Sequence, residues 1–300
     1  MAFLAQKLPH ACYWSLSRFN GRLAQQVKLL STDANKAEPL VLSEIDSNGF
    51  RRLTLNDPKT RNALSIAMLE ALEQELTSSS NEKDVRIICL RAKPPVFSSG
   101  HNLKELRAET GLAFQSKVFA TCTRVMKAVQ DIQIPVIAEV AGHAAAAGCQ
   151  LIASCDIVVA SHSASFSTPG IKAGLFCSTP GVAVSRAVPR KVAMDMLLTG
   201  QPIDASTALR AGLVSRVVAD DELEAEVMKV ARQICEFSKP VIAMGKSLFY
   251  SQIATDRNTA YRLAEKVMLE NLRLADCQEG ISGFVEKRKP NWTHATKTLY

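Results

Sequence analysis

A run of small residues between a strand pattern and a helix pattern constrains the fold of this chain more than any other segment. Ile134–Val140 predicts a buried strand, Gly142–Gly148 a turn of small residues, and Cys149–Cys155 the start of a helix. The first N–H groups of a helix have no partner within it and carry a partial positive charge. The segment therefore predicts a turn that stabilises a developing oxyanion without a charged side chain.

Strand and helix patterns alternate on both sides of this turn. Strands are predicted at 41–46, 50–55, 85–92, 134–140 and 156–160, the first two forming a hairpin around Ser47–Gly49. Helices are predicted at 65–79, from Lys104, up to Asp131 and from Asp221 onward, the last covering Thr259–Phe284. Such alternation implies parallel strand pairing with helical crossovers. A doubly wound nucleotide-binding domain is the generic interpretation, but no Gly-x-Gly-x-x-Gly motif follows an early strand.

The N-terminal segment has the composition of a mitochondrial transit peptide. Residues 1–32 contain four basic residues and no Asp or Glu, whereas a secretory signal needs a compact apolar centre; an unstructured tail is the alternative. We expect a transit peptide at 1–33, a linker at 34–40, a core at 41–235 and a helical C-terminal region at 236–300. The predicted location is the mitochondrial matrix.

Composition excludes several classes of protein. The net charge of +7 falls to +3 without residues 1–32, and no basic patch is interleaved with aromatic residues, so nucleic acid is not an expected partner. No apolar run reaches 18 residues, so no membrane span is expected. The eight cysteines form no Cys-x-x-Cys pair, which favours buried thiols in a reducing compartment over a metal site.

Six motifs together resemble the crotonase (enoyl-CoA hydratase/isomerase) superfamily. They are Asn56–Pro58 with Arg61–Leu64, Phe97–Glu105, Pro135–Ala138, Val140–Ala160, Phe166–Pro169 with Gly174, and Asp276–Gly280 with Phe284 and Lys287–Pro290. Each motif is weak alone, but their order and spacing are specific. Three segments indicate a mitochondrial subgroup of this family: Ala144–Leu151, Ser98–Leu106 and Gly174–Ala193.

The resemblance implies an α/β fold, the crotonase-like ββα spiral (ClpP/crotonase fold), with a helical C-terminal region that mediates trimer formation. It implies a homotrimer or a dimer of trimers, an acyl-CoA thioester as ligand or substrate, and a role in fatty acid and lipid metabolism. No covalently bound cofactor and no metal are implied.

By the same resemblance, two backbone N–H groups polarise the thioester carbonyl, and they come from His101 and Ala147. Ala147 replaces a glycine that is usual in the family, so the turn must accept one extra Cβ while the N–H is retained. The His101 imidazole is the titratable group of these loops, and a solvent-facing or satisfied histidine competes with a catalytic one.

The departures from the family concern proton transfer. In family hydratases two glutamates activate the water, and here these positions fall on Gln150 and Gly170. Gln150 can orient a water molecule, whereas Gly170 contributes no side chain. Because general acid–base catalysis supplies roughly 10²- to 10⁴-fold, we expect negligible hydratase activity. His143 is a nearby alternative proton carrier, since its pKa suits neutral pH.

The CoA nucleotide has its own expected contacts by resemblance. Arg61, Ala63 and the loop of His101, Asn102, Leu103 and Lys104 would line the nucleotide end, and Phe284 and Lys287 would reach over from the C-terminal region, also from a neighbouring subunit. A solvated helix end at Lys287 and a core role for Phe284 are the competing interpretations.

Whether the chain is an enzyme stays open at this point. The first hypothesis is an acyl-CoA-binding protein without hydratase activity. Its alternatives are an atypical isomerase, hydrolase or decarboxylase that uses only the oxyanion hole, and a regulatory or scaffold trimer without catalysis. Retained CoA affinity would exclude the scaffold.

Overall fold

The structure of the chain, a computed structural model, describes residues 38–299, with the side chains of 80 and 81 excepted. The expected transit peptide at 1–33 and residues 34–37 of the expected linker lie outside the described residues. Within 38–299 there are nine strands and ten α-helices. No helix of the described part is long and apolar enough to cross a bilayer.

Two sheets organise the first two thirds of the described chain. The strands are β1 (Val41–Ile45), β2 (Phe50–Leu55), β3 (Ile87–Ala92), β4 (Val136–Val140), β5 (His143–Ala145), β6 (Ile157–Ser161), β7 (Ser165–Ser167), β8 (Ile203–Asp204) and β9 (Arg216–Val218). The larger sheet has the order β1-β2-β3-β4-β6-β9, and the smaller one the order β5-β7-β8. Only β1–β2 and β7–β8 pair antiparallel; the other pairs are parallel. The predicted hairpin and parallel crossovers are thus confirmed.

Helices connect and cover these strands. They are α1 (Ile66–Asn81), α2 (Gly111–Asp131), α3 (Ala147–Ser154), α4 (Ser178–Ala187), α5 (Arg190–Thr199), α6 (Ala205–Ala211), α7 (Leu223–Cys235), α8 (Lys239–Gln252), α9 (Arg257–Arg273) and α10 (Ala275–Val285). Short 3-10 helices lie at 58–60, 103–106, 108–110, 169–173 and 220–222. The Ser65 side chain accepts a hydrogen bond from the Met68 N–H and caps α1, as its position before the apolar pattern predicts.

The larger sheet buries both of its faces. Alternate side chains of a strand point to opposite faces, so Ile88 and Leu90 of β3 join the main apolar core, while Ile87 and Cys89 face α7. All four side chains are at most 1% exposed. This double burial explains why β3 has a continuous apolar pattern instead of an alternating one.

Three local expectations were wrong. The segment 142–148 is not all turn, because His143–Ala145 forms β5 and pairs with β7, and α3 begins at Ala147, before Cys149. The helix expected from Lys104 is a single 3-10 turn over Leu103–Leu106. The expected helix over Thr259–Phe284 breaks at Leu274, which lies in an antiparallel bridge with Thr298.

A buried ion pair attaches α8 to the sheet. The Lys246 ammonium donates to Asp156 Oδ2 at 2.7 Å and to two backbone carbonyls, and its side chain is 6% exposed. Tyr250 donates to the other Asp156 oxygen at 2.8 Å, and the Val136 N–H donates to Oδ2 at 2.7 Å. The carboxylate is therefore saturated by donors, which a buried charge requires.

A second buried carboxylate holds the C-terminal segment. Asp276 is fully buried and accepts hydrogen bonds from Ser238, from Thr293 (N–H and hydroxyl) and from the His294 N–H, at 2.7–3.0 Å. Burial alone raises its pKa, but these hydrogen bonds together outweigh burial and lower it. The Asp276 carboxylate thus links the segment after α10 to α10 and to the start of α8.

Candidate functional site

A cavity of about 380 Å³ lies where the predicted oxyanion residues meet. Its wall is mainly apolar and consists of Ser99, His101, Leu103, Leu106, Phe119, Ala146, Ala147, Pro169, Gly170, Ala173, Leu175, Phe176, Cys177, Ser178, Thr179 and Pro180. An apolar pocket with a few convergent polar groups is the usual form of a small-molecule site. Among these described residues there is no Asp, Glu, Lys or Arg.

The loop before His101 is fixed by a buried asparagine. Asn62 is fully buried, and its side-chain amide donates to the carbonyls of Lys93 and Val96 at 2.7 and 2.9 Å. Its own carbonyl accepts from the Ser98 hydroxyl at 2.8 Å, and that hydroxyl also accepts from the Gly100 N–H at 3.2 Å. The segment from Ser98 to Gly100 is therefore held rigidly in front of the cavity.

The start of α3 packs directly against this loop. A Cβ on Gly100, whose φ is +89°, would lie 2.8 Å from Ala146 Cβ and 3.2 Å from the Ala147 nitrogen. A Cβ on Gly148 would lie 2.6 Å from Ser98 Cβ. Only glycine fits at these two positions, because backbone meets backbone there. This close approach places residue 101 next to the start of α3, and both His101 and Ala147 line the cavity.

Neither the His101 N–H nor the Ala147 N–H has a hydrogen-bond partner in the part of the chain that the structure describes. Ala147 is the first residue of α3, where an N–H points out of the helix and carries partial positive charge. The pair can therefore donate to one carbonyl oxygen, and the bond strengthens when that oxygen becomes an anion.

The strained backbone conformation occurs at Ala146 and not at Ala147, the residue that replaces the family's usual glycine. Ala146 has φ 48° and ψ −116°, a region that residues other than glycine rarely adopt, whereas Ala147 is helical. The extra Cβ at Ala147 thus costs no strain, and the cost of about 1–3 kcal/mol falls on Ala146. The Ala146 N–H donates to the Ser167 carbonyl at 2.9 Å, which holds the residue in this conformation.

The imidazole of His101 is partly buried in the cavity wall. Its Nδ1 lies 3.3 Å from the Leu64 carbonyl oxygen, and its ring meets Phe119 edge to face with centroids 5.3 Å apart. Its Nε2 is buried and has no partner among the described residues. Burial lowers its pKa from the ordinary value, and the Leu64 contact opposes this in part.

The two positions of the family's glutamates have different surroundings. Gln150 lies on α3, one turn after Ala147; it is 5% exposed, its Oε1 has no partner, and it is not among the residues that line the cavity. Gly170 does line the cavity, but a Cβ there would lie 2.2 Å from the Leu175 carbonyl oxygen and 2.7 Å from Cys177 Sγ. The loop at Gly170 thus has no room for a side chain.

The remaining polar groups of the cavity are weakly acidic or neutral. Cys177 accepts from the Gly170 N–H at 3.2 Å, and burial raises its pKa, so the thiol stays protonated at neutral pH. Burial and the neighbouring Cys177 raise the pKa of Cys149 to about 12. Ser178 and Thr179 contribute hydroxyls at the start of α4. Thiol nucleophiles are therefore disfavoured here.

His143 lies on β5, outside the cavity wall. Its Nδ1 is 2.8 Å from the Ser165 hydroxyl and its Nε2 is 3.0 Å from the Ser167 hydroxyl, so both ring nitrogens have partners. Burial lowers its pKa. These contacts link β5 to β7, and the structure does not bring His143 to the oxyanion amides.

The predicted nucleotide contacts form two separate groups. Arg61 and Ala63 lie beside the oxyanion loop, since Ser99 N–H donates to the Arg61 carbonyl at 3.0 Å and Leu64 bridges His101. Asn102 caps the 3-10 turn that carries the exposed Leu103 and Lys104.

The second group lies at the end of α10. Phe284 is 86% exposed, and Lys287 is exposed with a φ of 56°. Neither residue lines the cavity of its own chain. No backbone hydrogen bond joins this group to the first one among the described residues.

The sequence analysis did not identify the residues that shape the site but carry no reactive or charged side chain. Gly100 and Ala146 set the backbone approach, and Leu106 and Phe119 form part of the apolar wall. The glycine inside the Phe97–Glu105 motif was the available signal for Gly100. No pattern marked Phe119, which reaches the cavity from α2. In the described part of the chain no three His, Cys, Asp or Glu side chains are grouped as a metal site would need.

Comparison with known proteins gives consistent results. Residues 46–295 match the model of the enoyl-CoA hydratase/isomerase family. Mitochondrial enoyl-CoA hydratase domain-containing protein 3 from Homo sapiens is 52% identical over 259 residues, which cover 86% of each protein. The crystal structure of human enoyl-CoA hydratase domain-containing protein 3 has a TM-score of 0.82 at 50% identity, covering 84% of this chain and 100% of that one.

A second solved structure, an enoyl-CoA hydratase from Mycobacterium smegmatis, has a TM-score of 0.83 at 47% identity, covering 85% of this chain and 99% of that one. These similarities confirm the predicted α/β crotonase-type fold and the predicted subgroup resemblance. Relatives from human, mouse and frog, 49–52% identical to this chain, are named mitochondrial. The predicted mitochondrial location is thereby confirmed, whereas the matrix stays a prediction.

Proposed function

This chain belongs to the enoyl-CoA hydratase/isomerase family, and on that basis we propose that it binds acyl-CoA thioesters in mitochondrial fatty acid metabolism and lacks enoyl-CoA hydratase activity. The observation that carries the proposal is the composition of the cavity wall. The wall has two free amides suited to a carbonyl oxygen, an apolar surface suited to an acyl chain, and no carboxylate.

The two free amides support thioester binding. A thioester carbonyl oxygen that enters the end of the cavity at His101 and Ala147 would accept two hydrogen bonds from rigid donors. Each such bond contributes about 0.5–1.5 kcal/mol to binding, and the contribution grows if the oxygen gains negative charge. The acyl group would then lie against Leu103, Leu106 and Phe119.

The missing acids support the absence of hydratase activity. Gln150 cannot exchange a proton at neutral pH, and Gly170 cannot be replaced by an acid without moving the Leu175 carbonyl. The loss of general acid–base catalysis at both positions lowers the rate by roughly 10²- to 10⁴-fold for each group. Hydration of an enoyl-CoA should therefore stay near the uncatalysed background.

The nucleotide end of CoA would lie at Arg61, Ala63 and the 101–104 loop. Phe284 and Lys287 would complete it from a neighbouring subunit of a homotrimer, because they are exposed and lie outside the cavity of their own chain. The C-terminal helix α9 supports self-association. It contains no buried residue, and Tyr261 and Leu269 on it are 67% and 65% exposed.

The test uses a matched pair of ligands with the full chain. Butyryl-CoA and the thioether S-butyl-CoA share the nucleotide, the pantetheine and the alkyl chain, and only the first has the carbonyl oxygen. Calorimetry should show that butyryl-CoA binds about 10-fold tighter or more, as two hydrogen bonds imply. Equal affinities would contradict the oxyanion assignment, and no binding of either ligand would favour the scaffold alternative.

Hydratase activity is measured separately. Loss of the enoyl absorbance of crotonyl-CoA should not exceed the background of a heat-inactivated sample. Turnover well above that background would contradict the argument from the missing acids.

A further inference from the structure

The side chain of His294 lies between two hydrogen-bond donors. The Lys239 N–H donates to Nδ1 at 3.3 Å, and the guanidinium nitrogen Nη1 of Arg86 lies 3.4 Å from Nε2. Neither donor can accept a hydrogen bond, and a neutral imidazole can accept at only one of its nitrogens. The neutral ring therefore satisfies one of the two contacts, whereas the imidazolium, with a proton on both nitrogens, satisfies neither.

The charges around this ring also favour its neutral form. Arg86, just before β3, is held in place because its guanidinium donates to two backbone carbonyls at and just after the end of α7, at 3.2 and 2.9 Å. Burial, Arg86 and Lys239 at the start of α8 lower the pKa of His294, and the Asp276 carboxylate of α10 opposes them in part. That carboxylate accepts the backbone N–H of His294. A proton added to the ring would thus meet two cations and, among the described residues, no hydrogen-bond acceptor.

His294 belongs to a C-terminal strap, residues 291–299, that is attached to the fold at two places. Near the start of the strap, Trp292 Nε1 donates to the Glu236 carbonyl at 2.7 Å, between α7 and α8. Near its end, Thr298 forms the antiparallel bridge with Leu274, the residue at which the helix breaks. The strap therefore joins the α7–α8 connection to the α9–α10 junction.

The backbone of His294 is strained. Its φ is 55°, in the left-handed region that residues other than glycine rarely adopt. Such a conformation persists only where the surroundings fix it, and here Asp276 accepts the His294 N–H at 3.0 Å while the Lys239 N–H meets the ring. Loss of the ring contact would therefore release strain at the same residue.

We propose that the strap is a pH-sensitive device, in which protonation of His294 releases residues 291–299 from the α7–α8 connection and from Leu274. The proton comes from solvent and binds the ring nitrogen that carries the lone pair, so the contact made by that lone pair is lost. Since neither glycine nor proline lies at the α9–α10 junction, the strap contacts are what interrupts the helix there. Release leaves α10 free to change its orientation relative to α9.

The strap would thereby set the position of the end of α10. That end carries Phe284 and is followed by Lys287, the residues proposed to reach the CoA nucleotide of a neighbouring subunit. The device itself belongs to the C-terminal region, and it operates whether or not the chain binds acyl-CoA.

The experiment measures hydrogen exchange of single backbone amides in the full chain, by mass spectrometry with electron-transfer fragmentation. The two conditions lie one unit above and one unit below the ordinary histidine pKa of about 6.5. The reporters are the Ala275 N–H, which donates to the strap at 2.9 Å, and the Leu299 N–H, which donates across the same junction at 2.9 Å. Neither amide is a sequence neighbour of His294, so the charge of the ring does not alter their intrinsic rates. Asp276, whose pKa is lowered, stays ionised under both conditions.

The key variant is His294→Asn, because asparagine tolerates a positive φ and does not titrate. The attached strap binds the proton more weakly than the released strap, so attachment weakens as the pH falls below the pKa of the free histidine. At the upper pH, the reporter amides of wild type and His294→Asn should exchange at rates within about twofold of each other. At the lower pH, the wild-type rates should be several-fold higher, up to a limit of about 10-fold that one pH unit sets.

His162→Asn is the matched control, because His162 is exposed and directly follows β6. Its reporter amides should exchange as in the wild-type chain under both conditions. Equal rates in wild type and His294→Asn at the lower pH would overturn the proposal.

A second measurement needs no variant. The protection factor of the Ala275 N–H in the wild-type chain should fall several-fold between the two conditions. That of the Leu69 N–H, which donates to the Ser65 carbonyl in α1 at 2.9 Å, should stay constant. A constant value at Ala275, or an equal fall at both amides, would overturn the proposal. No ligand is present in either measurement, so these outcomes leave the proposed acyl-CoA binding untouched.

Discussion

Gly170→Ala tests whether the cavity wall can carry any side chain at the position of the family's second glutamate. The built position of its Cβ lies 2.2 Å from the Leu175 carbonyl oxygen and 2.7 Å from Cys177 Sγ, whereas ordinary contacts lie at 3.4–4 Å. The oxygen must therefore move by about 1 Å, since it belongs to the backbone and cannot turn away as a flexible side chain could.

The magnitude follows from what this movement disrupts. The Leu175 N–H donates to the Gly170 carbonyl at 2.9 Å, and the Gly170 N–H donates to Cys177 Sγ at 3.2 Å. Overpacking costs about 1–3 kcal/mol and a lost hydrogen bond about 1 kcal/mol. Gly170→Ala should lower the free energy of unfolding by about 2–4 kcal/mol, equivalent to roughly 10 °C in thermal midpoint for a domain of this size.

Gly181→Ala is the matched control in the neighbouring helix α4. Its Cβ would make an ordinary contact at 3.4 Å with Leu197, and alanine favours the helix by about 0.5–1 kcal/mol. Thermal unfolding followed by circular dichroism, at one protein concentration, should show a lower midpoint for Gly170→Ala and an unchanged or higher one for Gly181→Ala. Equal midpoints for Gly170→Ala and wild type would refute the steric argument.

The close contact between Gly170 and Leu175 also predicts the result of introducing glutamates at positions 150 and 170. Gln150→Glu combined with Gly170→Glu should not gain hydratase activity, because the glutamate at 170 can enter only if the 170–177 loop is displaced. Crotonyl-CoA turnover by the double variant, with wild-type stability, would show that this loop opens easily. The missing carboxylates alone would then account for the proposed absence of hydratase activity in the wild-type chain.

Three further predictions concern the scaffold of the site. Ala146→Gly should raise the thermal midpoint, since it removes the strain of φ 48° at a gain of about 1 kcal/mol after the entropy of glycine is subtracted; a lower midpoint would contradict this. Lys246→Ala should lower the free energy of unfolding, measured by chemical denaturation, by about 3–5 kcal/mol, because it leaves the buried Asp156 carboxylate without its cation. Lys117→Ala, which removes an exposed ion pair, should change that free energy by less than about 1 kcal/mol. The pKa of Asp276 is lower in the folded than in the unfolded state, so its contribution to stability is complete above the unfolded pKa near 4 and is lost as the pH falls through the folded pKa. Hydrogen exchange of the amides of residues 291–299 should therefore become faster over that pH range in the wild-type chain. In Asp276→Asn the exchange rate should not change over the same range.

Local signals predicted the elements that depend on local physics. The β1–β2 hairpin follows from a turn at Ser47–Gly49 between two apolar segments, and α1 from Ser65 as a cap before a helical apolar pattern. By contrast, β5 has three residues and pairs with β7, twenty residues away. Its strand conformation is imposed by that partner, so no local pattern could reveal it.

The break at Leu274 was hidden for the same kind of reason. No glycine or proline lies at the junction of α9 and α10, and the apolar period continues through the break. The chain leaves the helix because Leu274, 5% exposed, pairs with Thr298 and because Ala275 donates to the Lys297 carbonyl at 2.9 Å. Contacts with the C-terminal segment therefore determine where the helix ends, and sequence periodicity carries no information about such contacts.

At the site, the sequence was informative about the backbone amides, whereas the surroundings of the side chains became known only from the structure. Resemblance assigned the oxyanion role to the amides of His101 and Ala147, because backbone positions follow from motif alignment, and both residues line the cavity. It could not show that the Leu175 carbonyl leaves no room for a side chain at Gly170, or that both ring nitrogens of His143 contact serine hydroxyls. Nor could it show that Nε2 of His101 has no hydrogen-bond partner among the described residues. Those properties depend on how loops distant in sequence pack together.

The strain at Ala146 bears on the choice between a ligand-binding protein and a scaffold. A strained residue persists where its surroundings fix it, and here the Ser167 carbonyl and the close approach of Gly100 hold it in place. Ala146 directly precedes Ala147, which lines the cavity and whose N–H has no partner among the described residues, and a scaffold that binds no thioester gains nothing from that amide. If Ala146→Gly raised stability yet weakened butyryl-CoA relative to S-butyl-CoA, the strain would be shown to support carbonyl recognition. If it raised stability and left that ratio unchanged, the amide would be held by Gly100 and Ser98 alone, and the argument against a scaffold would rest on ligand affinity only.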